Sequence, residues 1–234
     1  MSIEKKPLVN DLYTADPSAH VFNGKIYIYP SHDEDIDVEN NDNGDQYDMK
    51  DYHVYEMPDT ETYPRDCGCV LKLEDIPWAS KQLWAPDCVE KDGKYYFVYP
   101  ARDKEGFFRI GIAIGDKPEG PFKPEPNYIP GSYSIDPCMF PDTDGKYYLT
   151  FGGIWGGQLD QYRNNKWSAD NKEPQGDEEA CTAKIALMKD NMLEMAEEPK
   201  DIVIVDENGK PLTGGDEARR YFEDPWMFKK GDTY

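Results

Sequence analysis

The sequence predicts an all-β chain assembled from the blades of a β-propeller. Three observations predict it. One hairpin-like unit recurs four times along the chain. Further strand-like pieces follow the units, as blades with more than two strands require. Helix-forming stretches are scarce, while the composition is rich in aromatic residues (13%, including 17 Tyr and 5 Trp), with 19 Gly and 19 Pro spread along the chain. Aromatics fit a pleated surface, and scattered Gly and Pro fit many turns between short strands. A two-sheet sandwich is the alternative architecture.

The first unit is ADPSAHVFNGKIYIYPS at 15–31 and the second WAPDCVEKDGKYYFVYPA at 84–101. The third is IDPCMFPDTDGKYYLTFGG at 135–153, and the fourth, FEDPWMFKKGDTY, occupies 222–234. Each places a small or acidic residue beside Pro, then a short apolar stretch, a Gly-containing turn and an aromatic strand. Asn23-Gly24, Asp92-Gly93, Asp144-Gly145 and Lys230-Gly231 mark the expected turns, because tight hairpins need positive φ. Tyr27 with Tyr29, Tyr95 with Phe97, and Tyr147 with Leu149 alternate at period two, so each pair faces one side of a sheet. Further strands are expected at 52–56, 108–114 and 184–188. Short capped turns are expected near 74–80 and 190–197. Two polar segments, 33–51 and 155–179, read as long loops. Loops of that length in a compact fold are often functional, here as walls of a binding pocket.

Composition excludes several function classes. The net charge of −21 repels phosphate backbones and anionic lipid, so neither nucleic acid nor a membrane surface is an expected partner. A neutral partner such as an oligosaccharide fits. No apolar run is long enough to span a bilayer. Residues 1–10 are polar and lack the apolar core of a secretory signal. The five Cys are irregularly placed, without the pairing of a zinc site, which suits reduced thiols and a cytoplasmic protein. His20, His32 and His53 stand at no metal-ligand spacing, so no metal site is expected from them. The acidic stretch 39–50 ends on Lys50 instead of the glutamate that closes an EF-hand loop.

The repeat carries a chemical register. Counting back eight residues from the hairpin glycine gives Asp16, Ala85 and Glu223, and counting nine across the longer third turn gives Asp136. Equivalent blade positions converge around a propeller axis, so Asp16, Asp136 and Glu223 are expected to surround one pocket. Glycoside hydrolysis needs this kind of set: a protonated carboxyl for the leaving oxygen and an ionised one for water. The acid must hold its proton near neutrality, which burial or a neighbouring carboxylate achieves. Trp84 reads either as an aromatic beside a bound sugar or as a core residue. His32, just beyond the first hairpin strand, reads either as a pocket residue or as a surface one.

These residues resemble glycoside hydrolase family 43. The resemblance rests on ADPSAHVFNGKIYIYPSHD, LWAPDCVEKDGKYYFVY, SIDPCMFPDTDGKYYLTFGG and FEDPWMFKKGDTY, and so spans the chain. It implies a five-bladed propeller, of which residues 1–234 cover roughly the first three to four blades as one catalytic domain incomplete at its C-terminal end. It also implies an inverting mechanism on terminal β-D-xylosyl or α-L-arabinofuranosyl groups of xylo-oligosaccharides or arabinoxylan fragments. Asp16 matches the general base, Asp136 the aspartate that orients the acid and tunes its pKa, and Glu223 the general acid, with the two reacting carboxyls roughly 6.5–9.5 Å apart. Ser31-His32-Asp33 resembles the exo-acting members. The chemistry needs no cofactor, although the complete family fold often carries a central metal, usually calcium. Two departures stand out. Asp224 follows the glutamate where the family commonly has Gly or Ala, and the family's later blade strands, metal-linked histidine and pocket arginine have no counterpart before Tyr234. Alternatives on the same fold are a non-catalytic carbohydrate-binding propeller and an arabinanase- or galactanase-type hydrolase.

Overall fold

The first hairpin forms where Asn23 (φ 52°) and Gly24 (φ 78°) both take positive φ, the turn whose twist matches the flanking strands. It joins β1 (Thr14–Phe22) to β2 (Lys25–His32), and β3 (Asp51–Met57) and β4 (Arg65–Lys72) complete an antiparallel four-stranded sheet in sequential order. The structure, a computed structural model, describes residues 6–234. The signal-peptide reading of residues 1–10 therefore lies partly outside the described residues.

The second blade repeats the plan. Here β5 (Ala79–Lys81) and β6 (Asp87–Lys91) both pair with β7 (Lys94–Asp103), followed by β8 (Phe108–Gly115) and β9 (Lys123–Pro124). Asp92 (φ 54°) and Gly93 (φ 75°) make its turn. The third blade comprises β10 (Cys138–Pro141) and β11 (Tyr147–Phe151), then a small ribbon of β12 (Tyr162–Arg163) and β13 (Lys166–Trp167), and finally β14 (Ala183–Leu187) and β15 (Lys200–Ile202). Its first turn is one residue longer, closed by Asp142 N–H to Lys146 O at 2.8 Å. The expected third strands correspond to β3, β8 and β14. The outermost strands β4, β9 and β15 were not expected from the sequence. Near 74–80 the expected turn is a short 3-10 segment, Leu73–Asp75. Near 190–197 it is a tight reversal bridged by Met188 and Met195.

The innermost strand β6 packs beside both β1 and β10, so the blades stand side by side. Alternation then fills two apolar layers. Phe97 and Tyr99 of β7 join Tyr29, Tyr52 and Val54 between blades one and two. Val98 joins Ile110, Ile112, Leu149 and Phe151 between blades two and three. The middle blade thus buries both faces, and Phe97, Val98 and Tyr99 are all 0% exposed.

The fourth unit lies against blade three. Ile154 N–H donates to Phe222 O at 3.1 Å, Thr150 Oγ1 to Pro225 O at 3.2 Å, and Lys229 Nζ to Asp142 at 2.7 Å. Its turn differs from expectation. Lys230 bridges Thr233, so the turn residues are Gly231-Asp232, not Lys230-Gly231.

Candidate active site

That one-residue difference corrects the register. Measured from the residue that closes each turn, the position six back is Asp16 from Phe22, Ala85 from Lys91 and Asp224 from Lys230. Asp136 stands in the same relation to Asp142, which closes the longer turn. Each of these four is followed by Pro. Asp16 (φ 44°), Asp136 (φ 56°) and Asp224 (φ 55°) also share a left-handed backbone, which aspartate tolerates better than most residues. Three such residues each cost on the order of 1 kcal/mol, a strain concentrated where function gathers. Glu223 therefore sits one residue before the repeated position, and Asp224 occupies it.

The β1 ladder breaks between Ala15 and Ser18. This bulge frees Asp16 from the sheet, a device that re-aims a side chain. Asp136 is set from the other side. Ser134 Oγ donates to Gly153 O at 3.1 Å and accepts Gly153 N–H at 3.0 Å. Ile135 fills the space above Gly153 and Gly157, where a Cβ would come within 2.6 Å of it. Asp136 Oδ2 then accepts the Asp224 N–H over a long 3.3 Å, which ties the backbone beside Glu223 to blade three.

These residues meet in one pocket of about 570 Å³. Asp16, Ala85, Asp136 and Glu223 line it as expected, joined by Asp33 and Asp224. An adjoining cavity of about 390 Å³ runs between the innermost strands and is lined by Asp16, Asp136 and Asp224 but not Glu223. Glu223 thus belongs to the open pocket alone. A larger cleft of about 640 Å³ beside β14 and β15 holds none of the register acids.

Crowding shapes the acids. Glu223 keeps an open face toward the pocket, but the surrounding protein strips water from it. That desolvation, with the charges of Asp224 and Asp16, pushes its carboxyl up to about 7. Burial, then Asp224, Glu223 and Asp16, holds Asp136 well above the usual carboxylate range. Asp16, Asp33 and Asp224 are raised chiefly by desolvation as well.

The two long loops wall the pocket, as the sequence suggested. Asn41, Gly44 and Tyr47 come from residues 33–50, while Trp155 and Gly156 come from the insertion at 155–179. Trp84 stands between the pocket and the core. It lines the pocket and packs on the core beneath. Its Nε1–H donates to Tyr47 O at 2.8 Å, and its ring fills the space over Gly44, where a Cβ would come within 2.4 Å. Trp155 and Phe222, exposed and edge-to-face at 5.0 Å, add an aromatic rim, of which the repeat contains only Phe222.

His32 is not among the pocket-lining residues. Its Nδ1 lies 2.6 Å from Asp51 Oδ1, and its ring meets His53 edge-on at 5.5 Å. The separation of 32 and 53 in sequence concealed this contact. Arg102 was also missed. It is 3% exposed, and its guanidinium donates to Gln82 Oε1, Gly106 O, Asn43 O, Asn43 Oδ1 and Gly156 O. It therefore fastens both loops to blade two.

The resemblance to family 43 implied a central calcium. Asp16, Asp136 and Asp224 offer the oxygen donors that a hard cation takes. Among the described residues, however, the one group with three ligand atoms within 4.8 Å of one another is His32, Asp51 and His53. The pocket acids alone do not make a calcium cage.

Comparison with known proteins gives a consistent result. Residues 5–234 match the model of glycosyl hydrolases family 43. The chain is 54% identical to a xylosidase/arabinosidase of Bacteroides ovatus over 235 residues, covering 100% of this chain and 72% of that protein. It is 57% identical to xylosidase/arabinosidase 43A of Humicola insolens, covering 97% and 72%. Among solved structures, a family 43 β-xylosidase/α-arabinofuranosidase from a compost microbial metagenome, in a calcium-free form with xylotriose, superposes with a TM-score of 0.93 at 55% identity, covering 97% of this chain and 70% of that one.

Proposed function

The chain belongs to glycosyl hydrolase family 43, and from that premise we propose that it releases terminal pentose residues, β-D-xylosyl or α-L-arabinofuranosyl, from xylo-oligosaccharides or arabinoxylan fragments with inversion. The observation that carries this reading is the convergence of Asp16, Asp136 and Glu223 on one aromatic-walled pocket. Relatives named xylosidase/arabinosidase support the pentose, and the neighbour with bound xylotriose supports an oligosaccharide substrate.

The reaction uses two protons. Glu223, held protonated near neutrality, gives its proton to the glycosidic oxygen as the bond to the anomeric carbon breaks. Asp16, ionised, takes a proton from the water that attacks that carbon from the opposite face. The leaving alcohol departs, a hemiacetal of inverted configuration forms, and the two carboxyls exchange roles in charge. Asp136 does not touch the reacting atoms in this scheme. It holds the Glu223-Asp224 backbone through the Asp224 N–H.

The test is hydrolysis of an aryl β-xyloside and an aryl α-L-arabinofuranoside, with the anomer of the first product read by proton NMR. Inverted product is expected. Asp16→Ala and Glu223→Gln should each cost about 10²–10⁴-fold in kcat. Unchanged hydrolysis in Asp16→Ala, or retained configuration, refutes the assignment.

A further inference from the structure

The pairs Ile26–Met57, Tyr27–Glu56 and Ile28–Tyr55 set the β2–β3 register. Continued to the end of β2, that register places His32 opposite Asp51. His53, two residues along β3, then falls on the same face as a diagonal neighbour. The side chains agree. One ligand atom from each of His32, Asp51 and His53 lies within 4.8 Å of the others. All three are half-buried and reachable by solvent, and none lines the pocket of acids.

We propose that His32, Asp51 and His53 form a binding site for a zinc-class divalent cation that clasps the base of the loop 33–50. Two imidazoles and one carboxylate suit zinc, nickel or copper far better than calcium or magnesium. Bonds of about 2.0–2.2 Å require the three side chains to rearrange around the cation, and the proton shared by His32 and Asp51 leaves as it binds. In the free protein the His32–Asp51 contact of 2.6 Å holds two of the ligands together. Asp66 supplies the outer support. Its carboxylate lies 3.0 Å from His53 Nδ1, the partner that fixes ring orientation and tautomer in metal sites. His32 ends β2 and Asp51 begins β3, so a cation held by both ties the two ends of the loop. That loop carries Gly44 and Tyr47 against Trp84 in the pocket wall. The cation is thus a structural clip on the pocket wall, separate from the acids.

The protein has three histidines, which makes the unmodified chain its own control. Zinc is titrated while the histidine ring C–H signals are followed by NMR. The signals of His32 and His53 are expected to shift near one equivalent while that of His20 stays. By calorimetry, His32→Gln and His53→Gln should each weaken zinc binding at least about 10-fold, and Asp66→Asn by about 10–100-fold. Cys67→Ser with Cys69→Ser should leave it unchanged, which separates this site from the thiols of β4. Zinc should also slow proteolysis within 33–50. Histidine signals unmoved by millimolar zinc, all three moving alike, or binding lost in the cysteine variant would each overturn the proposal. These readouts do not depend on what the pocket hydrolyses.

Discussion

Glu223 can serve as an acid near neutrality because three influences act together: desolvation, Asp224 beside it, and Asp16 across the pocket. The scheme needs Glu223 protonated and Asp16 ionised, so kcat/KM should fall on both sides of an optimum. Its alkaline limb should lie near pH 7. Removing the adjacent charge in Asp224→Asn should bring that limb down by up to about one pH unit, since like charge favours the protonated form. An unmoved limb would mean that Asp224 turns its charge to solvent. Asp136 carries a stability consequence. Its folded pKa is raised, so the folded state binds the proton more tightly than the unfolded state does. Stability is then full below the ordinary carboxylate range and is lost as pH rises through the raised value. Asp136→Asn should therefore raise Tm at pH 7, by about 2–4 °C for each kcal/mol recovered, while differing little near pH 3. Removing the acceptor altogether in Asp136→Ala should lower hydrolysis about 10²-fold, as the Asp224 N–H loses its partner and Glu223 its positioning. Asp16 and Asp136 were legible in the sequence because the Asp-Pro repeat fixes where the chain leaves each innermost strand, whereas Glu223 was reached by a count one residue out. Asp224 was misplaced because the sequence does not say whether the fourth glycine is the first or second turn residue.

At the level of elements, the pocket is a property of two loops held on a rigid middle blade. Arg102 gives all its hydrogen bonds to neutral acceptors, among them Asn43 on one loop and Gly156 on the other. Replacing it with Met keeps the bulk but leaves buried carbonyls and Gln82 without a donor. We expect a loss of at least about 3 kcal/mol in urea unfolding, at about 1–3 kcal/mol per orphaned group, and a rise in KM. Gly44→Ala is the milder probe. Gly44 has φ 72°, and its Cβ would press into the Trp84 ring. KM should rise there with a stability loss of about 1–2 kcal/mol from the left-handed backbone, whereas a loss of kcat alone would place the loop in the chemistry. The hairpins and third strands were legible because period-two aromatics and turn glycines are local signals. The hub was not, since Arg102 reads as an ordinary strand-end charge until residues 43 and 156 are known to flank it. Nor were β4, β9 and β15, whose sequences carry no clean alternation.

Across the whole molecule, blades are held by apolar layers, and one buried carboxylate joins them. Asp87 is 1% exposed. Its Oδ1 lies 2.5 Å from His20 Nε2 on blade one, and its Oδ2 accepts the Met139 N–H at 2.7 Å on blade three. The His20 ring in turn stacks on Trp226 of the fourth unit at 5.4 Å. A single side chain therefore sets the spacing of the innermost strands on which Asp16, Asp136 and Asp224 ride. Asp87→Ala leaves the Met139 N–H and His20 unpaired, so a cost of about 2–4 kcal/mol is expected, or roughly 4–16 °C in Tm at this chain length. Asp87→Asn keeps an acceptor for Met139 and should cost clearly less. Amide exchange at Met139 should quicken in the alanine variant and stay slow in the asparagine one. Hydrolysis should fall in both, because a displaced innermost strand carries its acid with it. If the alanine variant instead melts within about 1 °C of the parent, the layers of Phe97, Tyr99, Val98 and Phe151 alone hold the blades, and the pocket geometry follows from packing without the carboxylate.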